Sequence, residues 1–166
     1  MLPLNIPFIP DDDYLRFLLE HEDRLQAVHY SLHDSLLLDA RINIDNDSTQ
    51  KLYELLGQLK RPKKYLLANG RAHPDVVYRK DNQLRPVVNR LEQLLEANLL
   101  DGLVFADSYM LTALADAAPS LVASIEAIPS VNFQIDRIEK LAALIELIEN
   151  NGFIKPGKIT LDRGIN

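Results

Sequence analysis

Cysteine is absent from all 166 residues. That excludes disulfides, thiolate metal sites, iron–sulfur ligation and a cysteine nucleophile within the chain, and no cofactor is expected in it. Basic residues are in deficit, 18 Lys and Arg against 24 Asp and Glu, for a net charge of −6. Gripping nucleic acid needs a broad basic face, so nucleic acid is not expected as a partner of this chain alone. A small local basic patch remains compatible with the balance. The opening Met1-Leu2-Pro3-Leu4-Asn5 lacks the basic start and apolar stretch of a signal peptide. No uninterrupted apolar run approaches the length of a membrane span. Together these predict a cytoplasmic protein with no membrane partner. Phosphate-binding loops are missing too. No Gly-Lys-Ser/Thr loop occurs, and Pro10 with Asp11-Asp12-Asp13 stands where a dinucleotide-binding glycine loop would follow the first strand. Neither Ser108 nor Ser130 lies in the glycine context of a nucleophile elbow.

What is present is alternation. Hydrophobic residues make up 47% of the chain, enough for the core of one domain. Strands are predicted over 4–9, 25–32, 64–68, 101–106, 121–125 and 158–161. Helices are predicted between them. One starts after the Asp11–Asp13 run, with Tyr14, Leu15, Leu18 and Leu19 on one face, and one of the aspartates caps it. The second covers 48–60, where Leu52, Leu55, Leu56 and Leu59 are spaced for a buried face. The third covers 83–98 with Pro86 in its first turn. A fourth, capped by Asp107 or Ser108, runs to Ala117 before Pro119. The last covers 134–150, amphipathic through Ile138, Leu141, Leu144, Ile145 and Ile148, and Asn150-Asn151-Gly152 stops it.

Alternating β and α segments predict a parallel sheet, α/β in class, with chemistry beyond the carboxyl ends of the strands. The loops leaving strands two and three are long and polar, which marks that end as the functional one. Two architectures fit: an incomplete (β/α)8 TIM barrel with about six parallel strands, or an open doubly wound sheet. A whole barrel takes about 250 residues. On the barrel reading, residues 1–166 form a single α/β domain, the N-terminal part of a larger barrel. Open edges at its first and last strands then predict self-association.

At the strand ends the residues resemble a known family. Asp101-Gly102-Leu103-Val104-Phe105-Ala106-Asp107, followed by a short helix and Ala118-Pro119-Ser120-Leu121, resembles the collagenase-like peptidase family U-32. Ser124-Ile125-Glu126 with Asn132, and Leu161-Asp162-Arg163-Gly164-Ile165, stand where that family carries its fifth- and sixth-strand motifs. Asn69 stands where it tends to place asparagine after strand three. Glu126 replaces the family glutamine, Gly164 replaces the glutamate after the arginine, and the family's cysteine cluster has no counterpart. The resemblance implies a TIM barrel. It also implies a peptidase, or a protein of the family's hydroxylation pathways for RNA or quinone.

The candidate catalytic residues are Glu126, as a general base at the end of strand five, and Arg163, as a fixed planar cation for a carboxylate or phosphate. Candidate substrate-binding residues are Asn69, Arg71, His73, Asp107, Asn132 and Asp162, all placed by the alternation at strand ends or in the loops beyond. No spaced motif supports a metal site. The expected partner is a small molecule or a peptide. A second reading is a non-catalytic binding or regulatory domain that takes a small anionic ligand through Arg163. His29 and Tyr30 alternate on strand two, so one of them faces the core.

Overall fold

The structure is a computed structural model that describes residues 3–32, 47–70, 73–75 and 84–161. Five parallel strands form one sheet: β1 (Leu4–Pro7), β2 (Leu25–Tyr30), β3 (Lys63–Ala68), β4 (Gly102–Phe105) and β5 (Glu126–Pro129). The helices are α1 (Asp12–Glu20), α2 (Asp47–Leu56), α3 (Arg85–Glu96), α4 (Ser108–Ala117), the single turn α5 (Pro119–Val122) and α6 (Ile138–Asn150). The strands pair in chain order, β1-β2-β3-β4-β5. Right-handed crossovers that always step in one direction put every helix on one side of the sheet. This is the winding of a barrel segment. The reversal of order that defines a doubly wound sheet does not occur among the described strands.

Burial follows that one-sided covering. Val28, Tyr30, Leu66, Ala68, Leu103, Phe105 and Ala127 share the helix-facing side and are all buried. On the other side His29, Tyr65, Leu67 and Ile128 are only half-buried. Tyr30 therefore takes the core place and His29 the open one. The Tyr30 hydroxyl donates to the Leu99 carbonyl at 2.7 Å, which satisfies its polar end inside the core. Leu52, Leu55, Leu56 and Leu59 all enter the core as their spacing predicts. On α6 packing begins only at Leu144 and Ile148; Ile138 in its first turn is 70% exposed.

Local signals explain the helix ends. Asp11 accepts from the Tyr14 amide at 2.8 Å and caps α1. Pro86 sits in the first turn of α3, where its missing N–H is no loss. That helix ends in a Schellman turn. Asn98 takes a left-handed φ of 56°, its amide bonds Leu95 O at 3.0 Å, and the Leu99 amide bonds Leu94 O at 2.8 Å. Helix α6 ends the same way through Gly152, at φ 77°, with Phe153 N to Ile148 O at 3.2 Å.

Two expectations at the C-terminal side are corrected. Residues 121–125 are not the fifth strand. Pro119 opens the helical turn α5, its fixed φ suiting a first helical position, and Leu121, Val122 and Ile125 bury themselves on the way to β5. The strand begins at Glu126. Likewise 158–161 does not form the sixth strand. The chain reaches the outer edge of β5 earlier, through a single parallel bridge between Ile154 and Glu126. Pro156 follows within two residues and cannot donate to a ladder. The described sheet thus has five strands rather than about six.

Among the described glycines, Gly102 has the closest surroundings. A Cβ there would lie 2.5 Å from the Glu126 carbonyl oxygen and 3.0 Å from the Glu126 Cβ. The obstacle includes backbone, so β4 and β5 would have to separate. Gly102→Ala should cost about 1–3 kcal/mol, read as a lower urea midpoint at unchanged slope. An unshifted midpoint would show that the close approach is unimportant.

Candidate functional site

Each strand delivers a residue to the carboxyl rim of the sheet. Phe8 follows β1, Ser31 follows β2, Asn69 follows β3, Asp107 lies just beyond β4 and Ser130 follows β5. All five are buried, and four are polar. Buried polar groups are costly unless bonded, so a ring of them at the rim is not a packing accident. His73, on the loop after β3, is buried among them, its Nδ1 3.3 Å from Asp107 Oδ2. The other Asp107 oxygen accepts from the Tyr109 amide at 2.9 Å and the Met110 amide at 3.4 Å, capping α4. One carboxylate thus fixes a helix start and a histidine ring. Asn132 Nδ2 donates to the Asn69 carbonyl at 3.0 Å, which ties the loop after β5 to the loop after β3. Ser130 Oγ accepts from the Asn132 amide at 3.2 Å and caps the short turn Val131–Phe133.

Asn69, His73, Asp107 and Asn132 therefore come together at the expected rim. Ser130 belongs with them. Its position two residues before Asn132 offered only a weak signal, since serine in that place reads as an ordinary turn residue. Arg71, Asp162 and Arg163 lie outside the described residues. Around the polar cluster, large apolar side chains stay in water: Ile9 after β1 at 47%, Tyr109 at the start of α4 at 77%, and Val131 after β5 at 44% exposed. A polar floor with an apolar rim suits a ligand that offers both kinds of group.

Glu126 is elsewhere. Its expected place at the carboxyl end of strand five is corrected, because it opens β5 and so lies at the opposite end of the sheet. It is buried, bonded by the Lys63 ammonium and by the Tyr65 hydroxyl at 2.9 Å. Burial first, then the hydrogen bond and charge of Glu126, push the Tyr65 phenol far above its ordinary range. The Tyr65 ring in turn lies 5.6 Å from the His29 ring. Burial lowers the His29 pKa below its usual value, partly opposed by a backbone hydrogen bond at Ile6. This row on the open side of the sheet is a separate polar group from the rim cluster. Among the described residues no three His, Asp or Glu side chains are grouped to hold a metal ion.

No protein-family profile and no curated protein matches the chain. A solved structure does, "The Structure of the U32 Peptidase Mk0906", with a TM-score of 0.66 at 17% identity. The fold is that of a U32 peptidase structure. The match takes in 100% of this chain and 60% of that one. This likeness in backbone shape agrees with the α/β class and with the U-32 resemblance read from the strand ends. No helix among the described residues is long and apolar enough to cross a membrane.

Two measurements follow from these geometries. Asp107→Ala removes the α4 cap and should cost about 0.5–2 kcal/mol, whereas Asp107→Asn, still a good cap, should cost a few tenths. Equal losses in chemical denaturation would show that Asp107 does not act as the cap. For His29 the unfolded imidazole protonates near its ordinary pKa of about 6.5, and the folded one only at lower pH. Below about pH 6.5 the unfolded state then binds more protons, so stability is full above that pH and falls as pH drops through it. His29→Gln should flatten that part of the profile. A profile identical to that of the parent protein would remove His29 from the account.

Proposed function

We propose that the chain is the barrel part of a U32-peptidase-like protein. In this reading its carboxyl-rim cluster receives a peptide and His73 transfers protons in amide hydrolysis. The carrying observation is the buried His73–Asp107 pair, 3.3 Å apart, at the end of the sheet where parallel α/β folds place chemistry. Asp107 holds the ring and its tautomer, as the orienting carboxylate does in acid–base pairs. Hydrolysis needs only water as co-reactant. Its oxygen forms the new bond to the carbonyl carbon, the C–N bond breaks, and the amine leaves with a proton relayed by the imidazole. Asn69 and Asn132 fit the polar backbone of a peptide, and exposed Ile9, Tyr109 and Val131 fit its apolar side chains.

The test is turnover of a quenched-fluorescent peptide library by the purified protein, beside His73→Ala and the better hydrogen-bonding His73→Gln. Cleavage by the parent, with kcat/KM reduced about 10²–10⁴-fold in both folded variants, is the expected result. Undiminished cleavage by a folded His73→Gln would remove the proposed role. So would a folded parent that cleaves none of the library.

A further inference from the structure

The amino end of the sheet carries a different chemistry. Lys60-Arg61-Pro62-Lys63-Lys64 leads into β3, a run of four cations in a chain of net charge −6. All five residues line a cavity of about 280 Å³, together with Asp101 and Ser124. Three carboxylates lie close by, each held by fixed hydrogen bonds and each keeping its charge, so the four cations exceed them by one. Glu22 Oε1 accepts the Lys60 and Arg61 backbone amides at 2.5 and 3.0 Å. Asp101 Oδ2 accepts the Lys64 backbone amide at 2.8 Å. Glu126 holds the Lys63 ammonium and the Tyr65 hydroxyl. Lys60 Nζ donates to a neutral partner, the Gly57 carbonyl, at 2.5 Å. Among the described residues no ion pair neutralises the side chains of Lys60, Arg61 or Lys64.

Lys64 is buried, at 6% exposure. Burial and the neighbouring Lys60 press its pKa down, while Asp101 and Glu22 raise it. The excess of cations over carboxylates leaves this end of the sheet locally positive, and an anion in the cavity would be attracted to it. The set also matches one ligand chemistry. The planar Arg61 fork takes two oxygens, and lysine ammoniums act as point charges beside it.

We infer that the cavity at the amino end of the sheet binds a compact multivalent anion of the phosphate class, such as the diphosphate group of a small metabolite, through Lys60, Arg61 and Lys64. A small half-open pocket, rather than a long basic track, favours a compact head group over a nucleic-acid strand. The site lies at the other end of the sheet from the His73 cluster, so it does not depend on the peptide-hydrolysis reading.

Inorganic pyrophosphate is the probe, followed by titration calorimetry and by phosphorus NMR. One saturable site is expected, with a rise in the thermal midpoint as ligand binds the folded state. Lys60→Gln with Arg61→Gln, both exposed positions, should weaken binding at least about tenfold. Lys51→Gln, on the α2 ion pair with Asp12, should leave it unchanged. Three outcomes overturn the inference. One is no saturable binding by folded protein. Another is equal binding of pyrophosphate to parent and double variant. The third is binding of a single-stranded RNA oligomer, lost in the double variant, without any pyrophosphate binding.

Discussion

The one-directional pairing of the sheet is the constraint from which the rest follows. Each crossover places the next strand on the same side of its predecessor, so the helices cover one side of the sheet. Every strand then enters at one rim and leaves at the other. The carboxyl rim collects the residue that follows each strand, which is how positions as distant as Ser31 and Ser130 come to share a surface. The amino rim collects what opens or precedes a strand, which is how Lys63, Asp101 and Glu126 meet. Close packing between neighbouring strands supports this. Gly102 lets β4 lie against Glu126 where a larger residue would hold it away.

The two rims use their polar residues differently. At the carboxyl rim, bonds run between loops: Asn132 to the Asn69 carbonyl, and His73 to Asp107, which also caps α4. A single aspartate serving a helix end and an imidazole couples the placement of the ring to the start of α4. Precision of that kind is what acid–base chemistry requires. At the amino rim, carboxylates are spent on backbone amides, and cationic side chains are left around a cavity. The open side of the sheet holds a third arrangement, the Lys63–Glu126–Tyr65 bonds beside His29.

Much of this could be read in advance where a residue's local preference and its long-range role agree. The leucines of α2 lie at helical spacing and enter the core; Asp11 and Asp107 cap the helices they precede; Gly152 ends α6. Reading failed where a short apolar run served two conformations equally well. Leu121, Val122 and Ile125 are buried and could form a strand, yet Pro119 sets a helical turn first and the strand starts one residue after the run ends. That shift moved Glu126 from one rim to the other. The run Ile159-Thr160-Leu161 has strand composition, but the chain meets the sheet at Ile154 instead. The rim cluster was legible as a list of polar residues after strands. The His73–Asp107 distance and the Asn132–Asn69 bond were not, because loop conformation decides them. The amino-rim cavity was invisible, since its walls come from segments far apart along the chain.

The Ile154 bridge has a topological meaning. Ile154 N bonds the Ile125 carbonyl at 3.0 Å, and the Ala127 amide bonds the Ile154 carbonyl at 3.3 Å. Bringing this point to β5 closes a loop that contains α6, which is the entropically demanding part of adding a strand. The bridge therefore fixes the register at which the chain passes this edge, and Pro156, with no amide to donate, keeps that contact to a single point.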